Sequence, residues 1–214
     1  MMRGIYFTAA ALACSAVNAF HLPRLQRSAS EKGSTSMNSD KSIIIEKSRF
    51  LNFNIASTIR EQYQTPVFVY DEKTLVGQAT NALNFPNSYG LTVRFAMKAC
   101  PNAAILKLFH KMGLHFDVSS GFEVERAARA GIPYSHMSLS SQEMPKNFKE
   151  LYEKGIEFNA CSLNQLEQFG KLFPGGKCGL RFNPGQGSGG TGKTNVGGPS
   201  SSFGIWYELQ PEVK

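Results

Sequence analysis

Five short runs, marked by Phe95, Phe116, Ser138, Phe158 and Phe182, recur at intervals of 20 to 24 residues, with a helix-length segment after each of the first four. Parallel strands need a crossover of a dozen or more residues between them, so this spacing specifies a series of βα units and a parallel sheet, open or closed into a barrel. Leu91-Thr92-Val93-Arg94-Phe95-Ala96-Met97 reads as the first of these strands and Lys98 ends it; His115-Phe116-Asp117-Val118-Ser119-Ser120 repeats the arrangement. Further strands are read at 136–140, 156–160 and 178–182. Helices are read from Pro101 to the stop at Gly113, over 121–130 to Gly131, over 143–154 to Gly155, and over 162–173. An earlier strand at 66–70, tolerant of Pro66 as a first or edge residue, precedes a helix of about 72–84.

Every strand end is polar: Lys98; Asp117 with Ser119; Ser140 with Gln142; Asn159 with Ser162; Arg181 with Asn183. In a (β/α)8 barrel all such ends surround one mouth, where active sites are built. The periodicity alone does not separate a barrel from an open sheet. Five strands fall three short of a closed barrel, so the barrel reading describes an incomplete one and a truncated chain.

The 42% hydrophobic and 18% charged fractions are those of an ordinary globular protein. The net charge of +7 invites a nucleic-acid reading, but residues 1–30 hold Arg3, Arg24 and Arg27 and no acid, so without them the charge is +4. That is too diffuse for a nucleic-acid footprint, which needs Lys and Arg clustered on one face. Residues 1–19 read as a signal peptide, with Arg3, an apolar stretch too short to span a bilayer, and Val17-Asn18-Ala19 as a small-residue cleavage site. Residues 20–45 read as a transit-peptide-like segment, Ser-rich and basic, and 46–214 as the barrel domain. The two-part leader, with Ala19-Phe20 at its junction, resembles the presequences that carry proteins into plastids bounded by extra membranes; the alternatives are the secretory pathway or the cytoplasm. No stable membrane association is expected after targeting. Cys100, Cys161 and Cys178, the set left once Cys14 leaves with the leader, have neither disulfide-framework nor metal-ligand spacing, and no metal site is expected. His115 and His136 likewise lack ligand spacing and read as core or surface residues.

Taken together, Thr65-Pro66-Val67-Phe68-Val69-Tyr70-Asp71, Phe95-Ala96-Met97-Lys98-Ala99, Phe116-Asp117-Val118-Ser119-Ser120-Gly121-Phe122-Glu123, Ala130-Gly131-Ile132-Pro133, Leu180-Arg181-Phe182-Asn183-Pro184 and Ser202-Phe203-Gly204-Ile205 resemble the ornithine/diaminopimelate/arginine decarboxylases of the alanine-racemase-like fold. The resemblance covers roughly residues 60–210, with the motifs in the family's order. It implies an α/β fold: a pyridoxal 5'-phosphate-binding TIM barrel with about five of eight barrel strands present, and a first strand, 66–70, belonging to a β-domain otherwise missing. It implies that Lys98 is the lysine joined covalently to the cofactor aldehyde. A lysine in a partly desolvated mouth has a depressed pKa and is a nucleophilic amine, which agrees. Asp117 matches the family's aspartate beside that amine. A helix cap before Gly121 is its plainer reading. Arg181 matches the arginine near the cofactor ring; a buried cation there needs an anionic partner. Ser140, Ser141 and Gln142 sit at the third strand's mouth without assigned roles.

The resemblance further implies decarboxylation of an amino-acid substrate, foremost meso-2,6-diaminopimelate to L-lysine and CO2, by a homodimer with shared active sites. The alternatives are a carboxynorspermidine-, ornithine- or arginine-type decarboxylase of polyamine synthesis and a non-catalytic pyridoxal-phosphate-binding barrel. In the family the ring-stacking His-x-Gly-Ser, the glycine-rich phosphate loop, the glutamate on the pyridine nitrogen and the partner subunit's cysteine all follow the Phe-Gly-Ile segment, so they are expected beyond Lys214.

One motif points elsewhere. Gly187-Ser188-Gly189-Gly190-Thr191-Gly192-Lys193-Thr194 matches the P-loop pattern, and residues 185–190 match G-x-G-x-x-G. Both motifs need a helix at the loop's end to present amides to phosphate. Asn195-Val196-Gly197-Gly198-Pro199 opposes one, since two glycines and a proline cost several kcal/mol of helix propensity. The segment reads instead as a flexible loop over the mouth. Calorimetric titration with Mg-ATP is expected to show no saturable heat, and Lys193→Ala to leave the trace unchanged.

Overall fold

The computed structural model describes residues 50–187, 196–199 and 201–213. The two-part leader and residues 188–195, which hold most of the P-loop-like motif, lie outside the described residues. Two compact units divide the described residues between Leu75 and Val76.

In the first unit, Asn52 caps helix α1 (Phe53–Tyr63) by accepting from the Ile55 N–H at 2.9 Å. The strand read at 66–70 is not formed. Val67, Phe68 and Val69 are exposed and the segment lies in no β-ladder. A run of β-branched and aromatic residues specifies a strand only when a neighbour takes up the backbone groups, and none of the described strands does so. Asp71 starts helix α2 (Glu72–Leu83), whose first turn ends this unit at Leu75, accepting from the Thr74 N–H at 3.0 Å and the Thr74 hydroxyl at 2.5 Å.

The second unit carries the βα repeats. Strands β1 (Arg94–Ala96), β2 (His115–Val118), β3 (Met137–Leu139), β4 (Glu157–Ala160) and β5 (Gly179–Leu180) form one parallel sheet in sequence order. The fifth run is split: Phe182–Asn183 forms β6, which pairs in parallel with β7 (Ile205–Trp206). Arg181 bridges the split, its N–H donating to Ala160 O at 2.9 Å and its carbonyl accepting from Ile205 N–H at 2.7 Å. A sixth strand therefore continues the sheet beyond the five read in the sequence. Helices α3 (Ala103–Lys111), α4 (Gly121–Arg129), α5 (Phe148–Glu153) and α6 (Leu163–Leu172) follow the first four strands.

Most helix ends follow from local chemistry. Asn102 caps α3, so the helix starts after Pro101 and not at it. Gly113, Gly131 and Gly155 stop α3, α4 and α5 at φ values of 96, 86 and 98°, a region costly for any residue with a Cβ. Helix α5 is shorter than the 143–154 read from sequence, because Pro145 and a turn closed by Phe148 N–H to Pro145 O occupy its expected first turns.

Side-chain alternation sorts the sheet into two faces. Phe116, Val118, Met137, Leu139, Phe158 and Ala160 are all at most 2% exposed and form the layer beneath the helices. Phe95 meets Phe109 of α3 edge-on at 4.9 Å, and Phe158 meets Phe148 of α5 at 4.6 Å and Phe169 of α6 at 5.7 Å. The opposite face carries Arg94, His115, Asp117, Ser138, Glu157 and Asn159. Arg94 of β1 reaches Glu157 of β4 at 2.5 Å across two intervening strands. In a flat sheet those strands would stand about 14 Å apart at the usual spacing, with side chains perpendicular to the plane. The contact requires a curled sheet whose polar face is concave, as in a barrel wall.

None of the described helices is long and apolar enough to cross a membrane. Phe148→Ala should lower stability by about 3–5 kcal/mol in urea titration, since its ring is 2% exposed and touches three other rings besides Tyr152. Phe122→Ala, at an 86% exposed position, should stay within about 0.5 kcal/mol of the parent.

Candidate active site

The carboxyl ends of the strands meet at the rim of the concave face. Lys98 lies in a 3-10 turn (Met97–Ala99) directly after β1, anchored by the fully buried Met97 and closed by Cys100 N–H to Met97 O. Its side chain is exposed, so the desolvation expected from the sequence is not provided by the described residues. The amine stands open to approach from solvent.

Asp117 lies on β2, in register with Ala96 of β1. It does not cap the following helix; Ser120 does, accepting from Glu123 N–H at 3.2 Å. Burial holds the Asp117 carboxyl above its ordinary value of 3.8; the Lys98, Arg181 and Arg94 charges draw it back down, and Glu123 pushes it further up. Arg181, at the split of the fifth strand, is partly exposed and packs its guanidinium over the Phe203 ring at 5.0 Å from the centroid. Among the described residues no carboxylate stands within 4 Å of Lys98 or Arg181. The anionic partner that Arg181 was expected to need is replaced by partial hydration, the aromatic face and the longer-range field of Asp117. The three residues singled out in the sequence therefore share one electrostatic neighbourhood.

Several neighbours were not legible as such. Cys161 directly follows β4 with its thiol within hydrogen-bonding reach of Arg181; burial pushes the thiol up and the guanidinium opposes this. Asn159 donates to the Ser138 and Ser140 hydroxyls at 2.9 and 3.0 Å, tying β4 to β3 across the concave face. Its amide oxygen lies against Gly179, where a Cβ would collide with it. Buried Gln165 accepts from Cys161 N–H at 2.8 Å and donates to the Ser141 and Gln142 carbonyls at 2.9 and 3.0 Å, while Gln142 donates to Ser202 Oγ at 2.5 Å. Glu123 accepts from Ser119 N–H at 2.7 Å in the same way. The repeated Ser-x-x-Glu/Gln pattern at Ser120–Glu123 and Ser162–Gln165 was the available signal, because a capping serine with an acid or amide three residues on folds back onto the preceding backbone. Among the described residues no group of His, Cys, Asp and Glu could hold a metal ion.

A curled βα wall with an amine, an acid and a guanidinium at its carboxyl rim has relatives. Residues 76–214 match the family model described as pyridoxal-dependent decarboxylase, pyridoxal binding domain. The chain belongs to the pyridoxal-dependent decarboxylases. It is 37% identical over 155 residues to diaminopimelate decarboxylase of Escherichia coli (strain K12), covering 70% of this chain and 36% of the relative. To diaminopimelate decarboxylase of Buchnera aphidicola subsp. Schizaphis graminum it is 36% identical over 159 residues, covering 73% and 37%. A crystal structure of diaminopimelate decarboxylase matches with a TM-score of 0.66 at 35% identity, covering 76% of this chain and 38% of that one. The chain thus spans less than two fifths of the length of these decarboxylases. The barrel reading, open on periodicity alone, is supported by this likeness and by the curl of the sheet.

The Asp117 shift has a defined sign. A carboxyl whose folded value is raised contributes stability that is fully present below its unfolded value and lost as pH rises through the folded value. Asp117→Asn should therefore melt higher than the parent at neutral pH. The gap in melting temperature should shrink as pH falls towards 3.8 and below, as followed by circular dichroism.

Proposed function

We propose that this chain is part of a pyridoxal-phosphate-dependent amino-acid decarboxylase whose substrate is meso-2,6-diaminopimelate and whose products are L-lysine and CO2. The observation that carries the reading is the placement of Lys98, Asp117 and Arg181 in one field at the carboxyl rim of a curled βα sheet, where barrel enzymes assemble their sites. The residues suit the cofactor. An aldehyde needs an approachable amine, which Lys98 is, and an anionic cofactor needs cations nearby, which Lys98 and Arg181 are.

Pyridoxal phosphate, when bound, supplies the aldehyde that captures an amine and a ring that accepts the electron pair left as the α-carboxylate departs as CO2. The chain's own residues do the rest. Lys98 would hold the group through its exposed amine, the nucleophile that an aldehyde requires. Asp117 balances the cations of the rim. Burial favours its protonated form, and the Lys98, Arg181 and Arg94 charges favour its ionised form, so its charge follows the cations present. Arg181 is fixed against Phe203 and offers a guanidinium to an anionic group on the cofactor or substrate. Gln165 and Asn159 keep the rim and the wall below it in place.

The substrate choice rests on the likeness to diaminopimelate decarboxylases. A homodimer with shared sites and a plastid address conferred by residues 1–45 complete the proposal. Incubation with pyridoxal phosphate, borohydride reduction and peptide mapping should place the adduct on Lys98, and Lys98→Ala should abolish it; labelling of another lysine would end the assignment. In the whole protein, CO2 release should be fastest from meso-2,6-diaminopimelate. Faster release from ornithine, arginine or carboxynorspermidine would transfer the chain to polyamine chemistry.

A further inference from the structure

The end of the sheet opposite Lys98 carries its own cluster, which the proposed chemistry does not use. Arg94 is the first residue of β1, His115 the first of β2 and directly opposite Arg94 in register, and Glu157 the first of β4. His136 closes the 3-10 turn Tyr134–His136 just before β3, and His110 lies in the last turn of α3. The His115 and His136 rings stack with centroids 4.1 Å apart and planes 12° from parallel. His136 Nδ1 faces His110 Nε2 at 3.1 Å, so one proton lies between them. His115 Nδ1 is buried with no hydrogen-bond partner.

We propose that this amino-terminal rim is an acid-sensitive latch: the Arg94–Glu157 bridge holds the curl of the sheet, and the stacked histidines beside it hold only while His115 carries no charge. The groups that face His115 are Arg94 from β1, His136 from the turn before β3 and His110 from α3. None can supply a negative charge, and Glu157 from β4 is bound to Arg94. An imidazolium at His115 would be stacked on a second imidazole, set beside a guanidinium and left without an acceptor for its buried N–H. The position of the cluster gives the charge its leverage. The backbone bond from His115 N–H to Val93 O, 2.9 Å long, opens the β1–β2 ladder, and the bridge spans all four strands above it. Loosening there flattens the concave face from its floor, while the carboxyl rim keeps its separate ties through Gln165 and Asn159.

The electrostatics of the cluster point the same way as its geometry. Burial, then His136, Arg94 and His110, push His115 from 6.5 down to about 4. A histidine with a depressed folded value contributes stability present above its unfolded value and lost as pH falls through the folded one. The window of loss is therefore pH 6.5 to about 4.

The test is urea unfolding of the chain at a series of pH values, with His115→Phe beside the parent, since phenylalanine keeps a stacking ring and cannot titrate. Across the window the ratio of the parent's unfolding constant to the variant's should rise by up to about tenfold per pH unit as acid is added. Parallel profiles would overturn the latch. Slow exchange of the imidazole C2 proton gives a second reading on the unmutated chain, independent of whether the variant folds. Half-titration of His115 near 4 supports the proposal; half-titration near 6.5 defeats it. Amide exchange, corrected for intrinsic rates, should show the His115 N–H losing protection at a higher pH than the Ser140 N–H, which donates to Val118 O at the carboxyl end of the neighbouring β2–β3 ladder. Simultaneous loss at both ends would mean that acid unfolds the sheet globally and that no latch exists.

Discussion

The Arg94–Glu157 bridge is the contact that makes the sheet a barrel wall. Six strands laid side by side in chain order through right-handed crossovers carry their helices on one face, in a sheet that is either open and twisted or strongly curled. An ion pair between the first and fourth strands admits only the curved solution. Arg94 is nearly buried while Glu157 remains half exposed, so the pair keeps enough water on its carboxylate to limit the desolvation that makes fully buried pairs unprofitable. Its role is geometric before it is energetic.

Once the sheet curls, its two faces have different tasks. The convex face takes up the aromatic layer of Phe95, Phe109, Phe148, Phe158 and Phe169, and the helices cover it. The concave face is lined by side chains that can bond or ionise. At its floor these are Arg94, Glu157 and the histidines; in its middle Ser138 and Asn159; at its rim Asp117, Cys161 and Arg181. Their polarity makes this surface suited to a charged ligand and sensitive to protons. The same burial raises Asp117 and lowers His115, in opposite directions because one loses charge on protonation and the other gains it.

Much of this was legible along the chain. The βα spacing, the stopping glycines and the polar strand ends are local patterns, and Lys98, Asp117 and Arg181 stood out because each ends an apolar run. No strand forms at 66–70 because a run of β-branched and aromatic residues reports what a segment can do with a partner, and none of the described strands provides one. The short α5 was misread because Pro145 acts on the turn before it as well as on its own residue. Asn159 was legible as a polar strand end, but its bonds and those of Cys161 and Gln165 were not, because their importance lies in whom they face: Gln165 in particular is an ordinary helix residue until its amide is seen holding the loops after β3 and β4 together.

What the sequence determined by itself was the order and period of its elements and the chemistry placed at their ends, because hydrophobic alternation, caps and turn glycines act over a few residues and need no distant partner. What only the tertiary structure decided was the curl, the exposure of Lys98, the charge environment of Asp117 and the meeting of His110, His115 and His136. These depend on the distance between strands that are remote along the chain, and electrostatic and stacking energies change steeply over the few ångströms that folding alone sets.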